Sequence, residues 1–299
     1  MIAVRTVEND ADIDTYLDVR NRVHPDLPMP REAVLDQRGK PGNLDLIADV
    51  GGVPVGVATV VKFDGAPDGD LAFTAIRVLR EHRRKGVGTA LHRRVSEHAR
   101  SLAKGGFLVA VRGDDSDSLG YYDARGFAER GRMQDVVLEL ATAEIEVDVP
   151  AGLELRPATE EHDRGVYEVA LEAEADIPAA TPIVTGAFEQ WRDLLFSGLV
   201  LRDLSFVAVE DGRVLGYAIL GRHDEHTAQH WMTGVARAAR GRGIALALKQ
   251  AQIAAAKDAG WAFLNTQNDL GNAPMRRVNE KLGYELRFEW VHLVGPLLD

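Results

Sequence analysis

Cysteine is absent from the 299 residues. With it go disulfides, thiolate nucleophiles, Cys-ligated zinc and iron–sulfur clusters, which leaves only His and carboxylate as metal ligands. The first residues, MIAVRTVENDAD, lack the basic segment and apolar run of a secretory signal. No apolar run approaches the ~18 residues that mark a membrane span, so the expected location is the cytoplasm. Basic residues are also in deficit: 35 Lys and Arg stand against 46 Asp and Glu, a formal net charge of −11. That balance opposes non-specific binding to nucleic acid or an anionic membrane. What is present is ordinary globular composition, 45% hydrophobic and 27% charged, which excludes disorder, collagen and coiled coil. The length fits two domains, each large enough to bury a core without staples.

The chain repeats itself. Val78 corresponds to Val235, Gly86 to Gly243 and Phe127 to Tyr284, each pair 157 residues apart. The starts of the two copies match loosely, Ile2-Ala-Val-Arg5 with Leu153-Glu-Leu-Arg156. Between the copies lies an acidic stretch that ends in Pro150-Ala-Gly152, a composition suited to a connector. The expected organisation is a first domain at 1–140, a linker at 141–152 and a second domain at 153–299.

Each copy reads as mixed α/β with helices on a mostly antiparallel sheet. In the first, strands at 46–50 and 53–62 flank a Gly51-Gly52 turn. A strand at 72–78 leads through a glycine loop to a helix at 87–103. The apolar face of that helix is Val87, Leu91, Val95 and Leu102. A buried strand at 107–111, a short helix at 121–125 and a final strand at 133–140 follow. The second copy repeats this order, with a turn at Asp211-Gly212, a strand at 229–235, a helix at 244–259 and a strand at 261–265.

A strand, a short Gly-rich turn and a helix place backbone N–H groups at a helix N-terminus, where anions and phosphates bind. Gly86 and Gly88, or Gly243 and the small Ala245, let a phosphate approach the backbone. Arg83, Arg84 and Lys85 supply charge in one copy, Arg240 and Arg242 in the other. The spacing is neither that of a P-loop nor Gly-x-Gly-x-x-Gly, so NTPases and dinucleotide folds are poor readings. Arg-x-x-Gly-x-Gly/Ala after a strand ending in Val resembles the pyrophosphate-binding motif of the GNAT family of N-acetyltransferases. Tyr122-x-x-x-Gly126-Phe127 is similar to that family's downstream motif. So is the run Asn265-Thr-Gln-Asn268, Asn272, Met275, Asn279 and Leu282-Gly283-Tyr284. The resemblance covers nearly the whole chain as two tandem copies, the arrangement of mycothiol synthase-like two-domain acetyltransferases.

The resemblance implies two tandem GNAT-like domains, each a mostly antiparallel mixed sheet with a central splay and flanking helices. It implies acetyl-CoA as co-substrate, no metal, and transfer to a primary amine, expected to be that of a small molecule, by direct attack. The implied contacts in the first copy are Ile76, Val78, Arg83, Arg84, Lys85, Gly86, Val87, Gly88 and Thr89. In the second they are Thr233, Val235, Arg240, Gly241, Arg242, Gly243, Ile244, Ala245, Asn272 and Asn279. It further implies that a backbone N–H near Val78 or Val235 polarises the thioester and that Tyr122, ahead of its neighbour Tyr121, protonates the departing thiolate. Asn279 holds the tyrosine's position in the second copy, and an amide delivers no proton. The first copy is therefore the expected catalytic one. The rival reading is that one or both copies bind acyl-CoA without transfer.

No general base is assigned. His24, Asp26 and Glu32 in the first copy, and His230, Glu172, Glu174 and Asp176 in the second, are candidates beside a water relay. His223-Asp-Glu-His226 reads as an exposed hairpin turn. Asp114-Asp-Ser-Asp117 lacks the ligand pattern of a calcium loop. Trp191 and Trp231 read as core or rim aromatics.

Overall fold

The chain begins with β1 (Ile2–Thr6), α1 (Asp10–Val23) and α2 (Arg31–Gln37). Then come β2 (Leu44–Val50), β3 (Val53–Lys62) and β4 (Leu71–Val78). They are followed by α3 (Val87–Ser101), β5 (Gly106–Arg112) and α4 (Ser116–Asp123). The structure, a computed structural model, describes residues 1–62, 69–178, 185–196 and 199–299. The β2–β3 turn is the one the sequence implies: Gly51 and Gly52 both have positive φ, 60° and 83°. That backbone matches the twist of the flanking strands.

The rest of the chain is β6 (Ala128–Glu139), β7 (Glu154–Pro157), α5 (Asp163–Ala173), α6 (Phe188–Leu195), β8 (Phe206–Glu210) and β9 (Arg213–Arg222). It ends with β10 (Thr227–Val235), α7 (Ile244–Asp258), β11 (Phe263–Asp269), α8 (Ala273–Lys281) and β12 (Glu285–Pro296). Asp211 and Gly212 turn β8 into β9, again with both φ positive.

The chain divides into two compact units. Unit 1 is Met1–Arg130 with Trp290–Asp299, and unit 2 is Gly131–Glu289. The strand order in unit 1 is β1-β2-β3-β4-β5-β12, and in unit 2 it is β7-β8-β9-β10-β11-β6. The final strands are thus exchanged. Trp290–Pro296 of β12 runs antiparallel to β5, and Met133–Glu139 of β6 runs antiparallel to β11. The sequence repeat ends its first copy at 140; the compact units are cut ten residues earlier and return for the C-terminus. The connector at 141–152 carries no helix or strand.

Each sheet splays in its middle. Parallel pairing of β4 with β5 covers only Leu71–Phe73 against Gly106–Leu108. That of β10 with β11 covers only Thr227–Gln229 against Phe263–Asn265. Beyond those residues β4 and β10 are bonded to one neighbour only, β3 and β9. β10 adds a bulge between His230 and Met232, whereas β4 runs without one.

In unit 1 the two faces of the sheet carry separate cores. Val87, Leu91, Val95 and Ala99 of α3 pack with Ala58, Val60 and Phe107 on one face. Ile13, Tyr16 and Val19 of α1 pack with Ile47 and Val57 on the other. Burying a side chain such as Leu91 contributes roughly 1.5–3 kcal/mol. The helix that the sequence extends to 103 ends at Ser101: Leu102 is its C-cap and Ala103 is left-handed, φ 57°. Leu102 therefore lies past the apolar face rather than on it.

Candidate active site

α3 starts at Gly86, whose φ of 87° is left-handed, and α7 starts at Gly243 with φ 85°. A side chain with a Cβ costs roughly 1–2 kcal/mol in that conformation, which explains glycine at both positions. Neither helix has a side-chain cap. The N–H of Ala90 is the first to bond within α3, to the Gly86 carbonyl, and Ala247 is its counterpart in α7. The preceding N–H groups, those of Val87, Gly88 and Thr89 and of Ile244, Ala245 and Leu246, lie at the positive end of the helix dipole. The side chains of Val87 and Ile244 are buried in the cores beneath the helices.

The basic residues of the loops are largely engaged already. Arg83 clasps the loop to its strand, donating Nε–H to the Val78 carbonyl at 3.3 Å, and Arg240 does the same to Val235 at 3.2 Å. Arg83 also meets both oxygens of Asp115, at 3.1 and 3.2 Å. Arg240 pairs with Asp176, Arg242 with Glu210, and Lys85 donates to the Glu81 carbonyl. All four are expected from the resemblance to meet phosphate. Among the described residues neither Lys85 nor Arg84 has an ion-pair partner; Arg84 also makes no side-chain hydrogen bond, and it lines the cleft described below. It is left-handed, φ 61°, where the second copy has Gly241 at 79°.

Strand alternation aims the backbone at the splay. The N–H of Leu79 bonds to Val55 of β3, so Arg77 also faces β3 while Ile76 and Val78 face the opening. Ala236 bonds to Leu215 of β9, which turns Thr233 and Val235 to the opening of unit 2.

In unit 1 this opening is a cleft of about 350 Å³. Gly86, Gly88 and Arg84 line one part, Ile76 and Val78 a wall, and Tyr121 and Tyr122 the α4 side. Tyr122 is 4% exposed and packs edge-on against Phe127, centroids 4.8 Å apart. Among the described residues its hydroxyl has no hydrogen-bond partner. Burial pushes its phenol well above the ordinary value of 10, so it holds its proton at neutral pH and suits an acid, not a base. Tyr121 is committed elsewhere. Its hydroxyl donates to the Gly88 carbonyl at 3.1 Å and lies 3.2 Å from His92 Nδ1, and the Arg125 guanidinium sits 3.7 Å from its ring centre. Arg125 also donates to the Thr89 hydroxyl at 3.1 Å.

Unit 2 differs at the matching positions. Asn279 is buried; its amide donates to Asn268 Oδ1 while its own Oδ1 has no partner among the described residues. Asn272 caps α8, accepting from the Met275 N–H at 3.3 Å, as Asp115 caps α4 through Ser118. Its side chain is thus spent on the fold.

The candidate bases are scattered. His24 lines the unit 1 cleft, and burial, then the charges of Arg77 and Arg20, push it down to about 4. Asp26 pairs with Arg112, and Glu32 is exposed on α2. In unit 2 both ring nitrogens of His230 are tied, to Gln252 at 2.8 Å and to the Tyr284 hydroxyl, and burial drives it far below its usual value. Glu172 accepts from the Arg237 N–H. Asp176 is held below the carboxylate range by Arg237 and Arg240. Glu174 is buried and accepts from Trp191 Nε1 at 3.0 Å and the Thr185 hydroxyl at 2.7 Å. The turn at 223–226 is self-contained, with Asp224 accepting from the His226 and Thr227 N–H groups. Sequence reasoning missed Arg77, the one cation in the apolar strand β4, although a charge between Ile76 and Val78 was visible.

Comparison with known proteins defines the class. The sequence model of the Acetyltransferase (GNAT) family matches residues 10–127 and again 168–284. The chain belongs to that family and carries two copies of its domain in tandem. Among particular proteins, it is similar to the mycothiol acetyltransferase of Thermomonospora curvata, 29% identical over 271 residues that cover 86% of this chain and 84% of that one. The fold is shared with a GCN5-related N-acetyltransferase from Sphaerobacter thermophilus, TM-score 0.80, 19% identity, covering 100% of this chain and 96% of that one. It is also shared with a tandem GNAT protein from the clavulanic acid biosynthesis pathway, TM-score 0.79, 21% identity, covering 100% and 99%. Among the described residues no helix is long and apolar enough to cross a membrane.

Proposed function

We propose that the protein is an acetyl-CoA-dependent N-acetyltransferase that acetylates a primary amine of a small molecule in the cytoplasm, with unit 1 as the site of transfer. One observation carries the reading. A single cleft joins an uncapped helix N-terminus, Gly86 and Arg84 to Tyr122, whose hydroxyl is unpartnered among the described residues, along a wall formed by Ile76 and Val78 of β4.

Acetyl-CoA, when bound, supplies an activated acetyl thioester. The residues that fit it are the N–H groups of Val87, Gly88 and Thr89 with Arg84 for its phosphates, since these donors lack internal partners. The Ile76 and Val78 backbone faces the opening, where an N–H donor stabilises charge that develops on a carbonyl oxygen. Tyr122 holds a proton at the cleft's inner end for the leaving thiolate. Depressed His24 is neutral at pH 7 and accepts a proton only weakly, so an ordered water is the simplest route for the amine's proton.

Unit 2 supports a second role. It repeats the uncapped Gly243 helix start but has Asn279 where unit 1 has its acid. In this reading it binds acetyl-CoA without transferring. The test is acetyl transfer to a panel of primary amines, followed by released thiol, in Gly86→Glu and Gly243→Glu proteins. Loss with Gly86→Glu alone supports unit 1; loss with Gly243→Glu alone reverses the assignment; no turnover despite binding leaves a binding module.

A further inference from the structure

The α1 face of the unit 1 cleft is cationic, although the whole chain carries a net charge of −11. Arg77 pairs in register with Val57, whose side chain belongs to the α1 core, so Arg77 lies on the face opposite α3. It lines the cleft between Ile76 and Val78. Its Nε is buried without a partner, and among the described residues no carboxylate pairs with it. Arg20 of α1 is 8% exposed; it donates only to neutral acceptors, Asn21 Oδ1 and the Leu27 carbonyl, and its Nε too is unpartnered. Burial, then the charge of Arg77, push Arg20 down to about 10. A partly buried guanidinium without a counter-ion is costly to a fold, the more so with the buried charge of Arg20 acting on the same region, and such cost concentrates at binding sites. A carboxylate relieves it, because the guanidinium fork matches its two oxygens.

We propose that Arg77 anchors a carboxylate-binding subsite on the α1 side of the unit 1 cleft, so that the ligand reacting there carries an anionic group. The proposal rests on the acetyl-transfer reading and narrows its substrate class: the carboxylate belongs either to an amino-acid-like acceptor or to a dicarboxylic acyl group. Among the described residues unit 2 has no matching arginine. The residue matching Arg77 is Gly234, packed against the Tyr217 ring, and the buried ionisable group there is the carboxylate Glu174.

Two binding arms on the full chain distinguish the sources. In the first, protein saturated with acetyl-CoA is titrated with glutarate and with its neutral diamide, glutaramide. In the second, succinyl-CoA is compared with uncharged butyryl-CoA. A preference of about tenfold or more for the anion in either arm is expected, the loss of one charge-assisted hydrogen bond. It should vanish in Arg77→Gln and return in part in Arg77→Lys. The wild-type comparison of charged and neutral probes needs no variant, so a misfolded substitution does not remove the test. No preference in either arm, or a preference that survives Arg77→Gln, overturns the subsite. Failure of acetyl-CoA to bind would instead count against the transfer reading, and the glutarate arm run without it would still report on Arg77.

Discussion

Replacing Tyr122 by Phe removes one oxygen and leaves a ring that still packs against Phe127. Because the hydroxyl has no hydrogen-bond partner among the described residues, its loss breaks no contact of the fold, and stability should change by less than about 1 kcal/mol. The chemistry should suffer far more. Loss of a positioned general acid typically costs about 10²–10⁴ in rate, or roughly 3–5.5 kcal/mol of barrier. The effect should fall on kcat, with acetyl-CoA affinity nearly unchanged, since the group acts in the transition state and not in binding. Tyr121→Phe is the comparator: it loses the bond to the Gly88 carbonyl but no proton donor, so its rate should fall less than about tenfold. The assay is release of CoA thiol, which a thiol reagent reads without background because the protein has no cysteine. Since the Tyr122 phenol is raised above its ordinary value, the rate should show no alkaline fall from this group below pH 10. A Tyr122→Phe enzyme within twofold of wild type would refute the assignment.

Four further outcomes follow from the same structure. Lys249 is buried and burial alone pushes it down to about 7 from 10.5. Unfolding therefore takes up a proton, and stability falls by about 1.4 kcal/mol per pH unit as pH drops from 10.5 towards 7, then levels off. Lys249→Met should accordingly be the more stable protein at pH 7, with an advantage that fades towards pH 10; a lower urea midpoint at pH 7 contradicts this. Arg84→Gly copies Gly241 and relieves a left-handed Arg, so the thermal midpoint should not fall while acetyl-CoA binding weakens by about 3–10-fold through the lost charge; unchanged affinity by calorimetry removes Arg84 from the site. Leu91→Ala should cost about 2–5 kcal/mol of unit 1 stability by denaturant titration. Because β6 pairs with β11 and β12 with β5, residues 131–289 should fold alone with cooperative melting, whereas 153–299 should not; a well-folded 153–299 fragment would count against the exchange.

The sequence made the repeated parts of this fold legible. Gly51-Gly52 and Asp211-Gly212 announced two hairpins, and Gly86 and Gly243 two helix starts, because each demands a backbone that few other residues tolerate. The spacing of Val87, Leu91 and Val95 gave the inner face of α3. The strand exchange was hidden for a physical reason. β6 and β12 are equivalent strands, and alternation along either says which side is buried but not which neighbour it bonds. Partnering hid the loop cations too: Arg83, Arg240 and Arg242 look like phosphate ligands until Asp115, Asp176 and Glu210 are seen beside them. Net charge is silent on local charge in the same way: a sum over 299 residues says nothing of the Arg77 that lines the unit 1 cleft without a carboxylate partner.

The central claim is that uncapped, glycine-started helices receive acetyl-CoA. Calorimetric titration of the full chain tests it most directly. Saturable binding is predicted with two sites per chain, falling to one in either Gly86→Glu or Gly243→Glu, where a side chain would stand in a left-handed position and bring a negative charge to the helix start. No heat and no thermal shift at saturating acetyl-CoA would contradict the account.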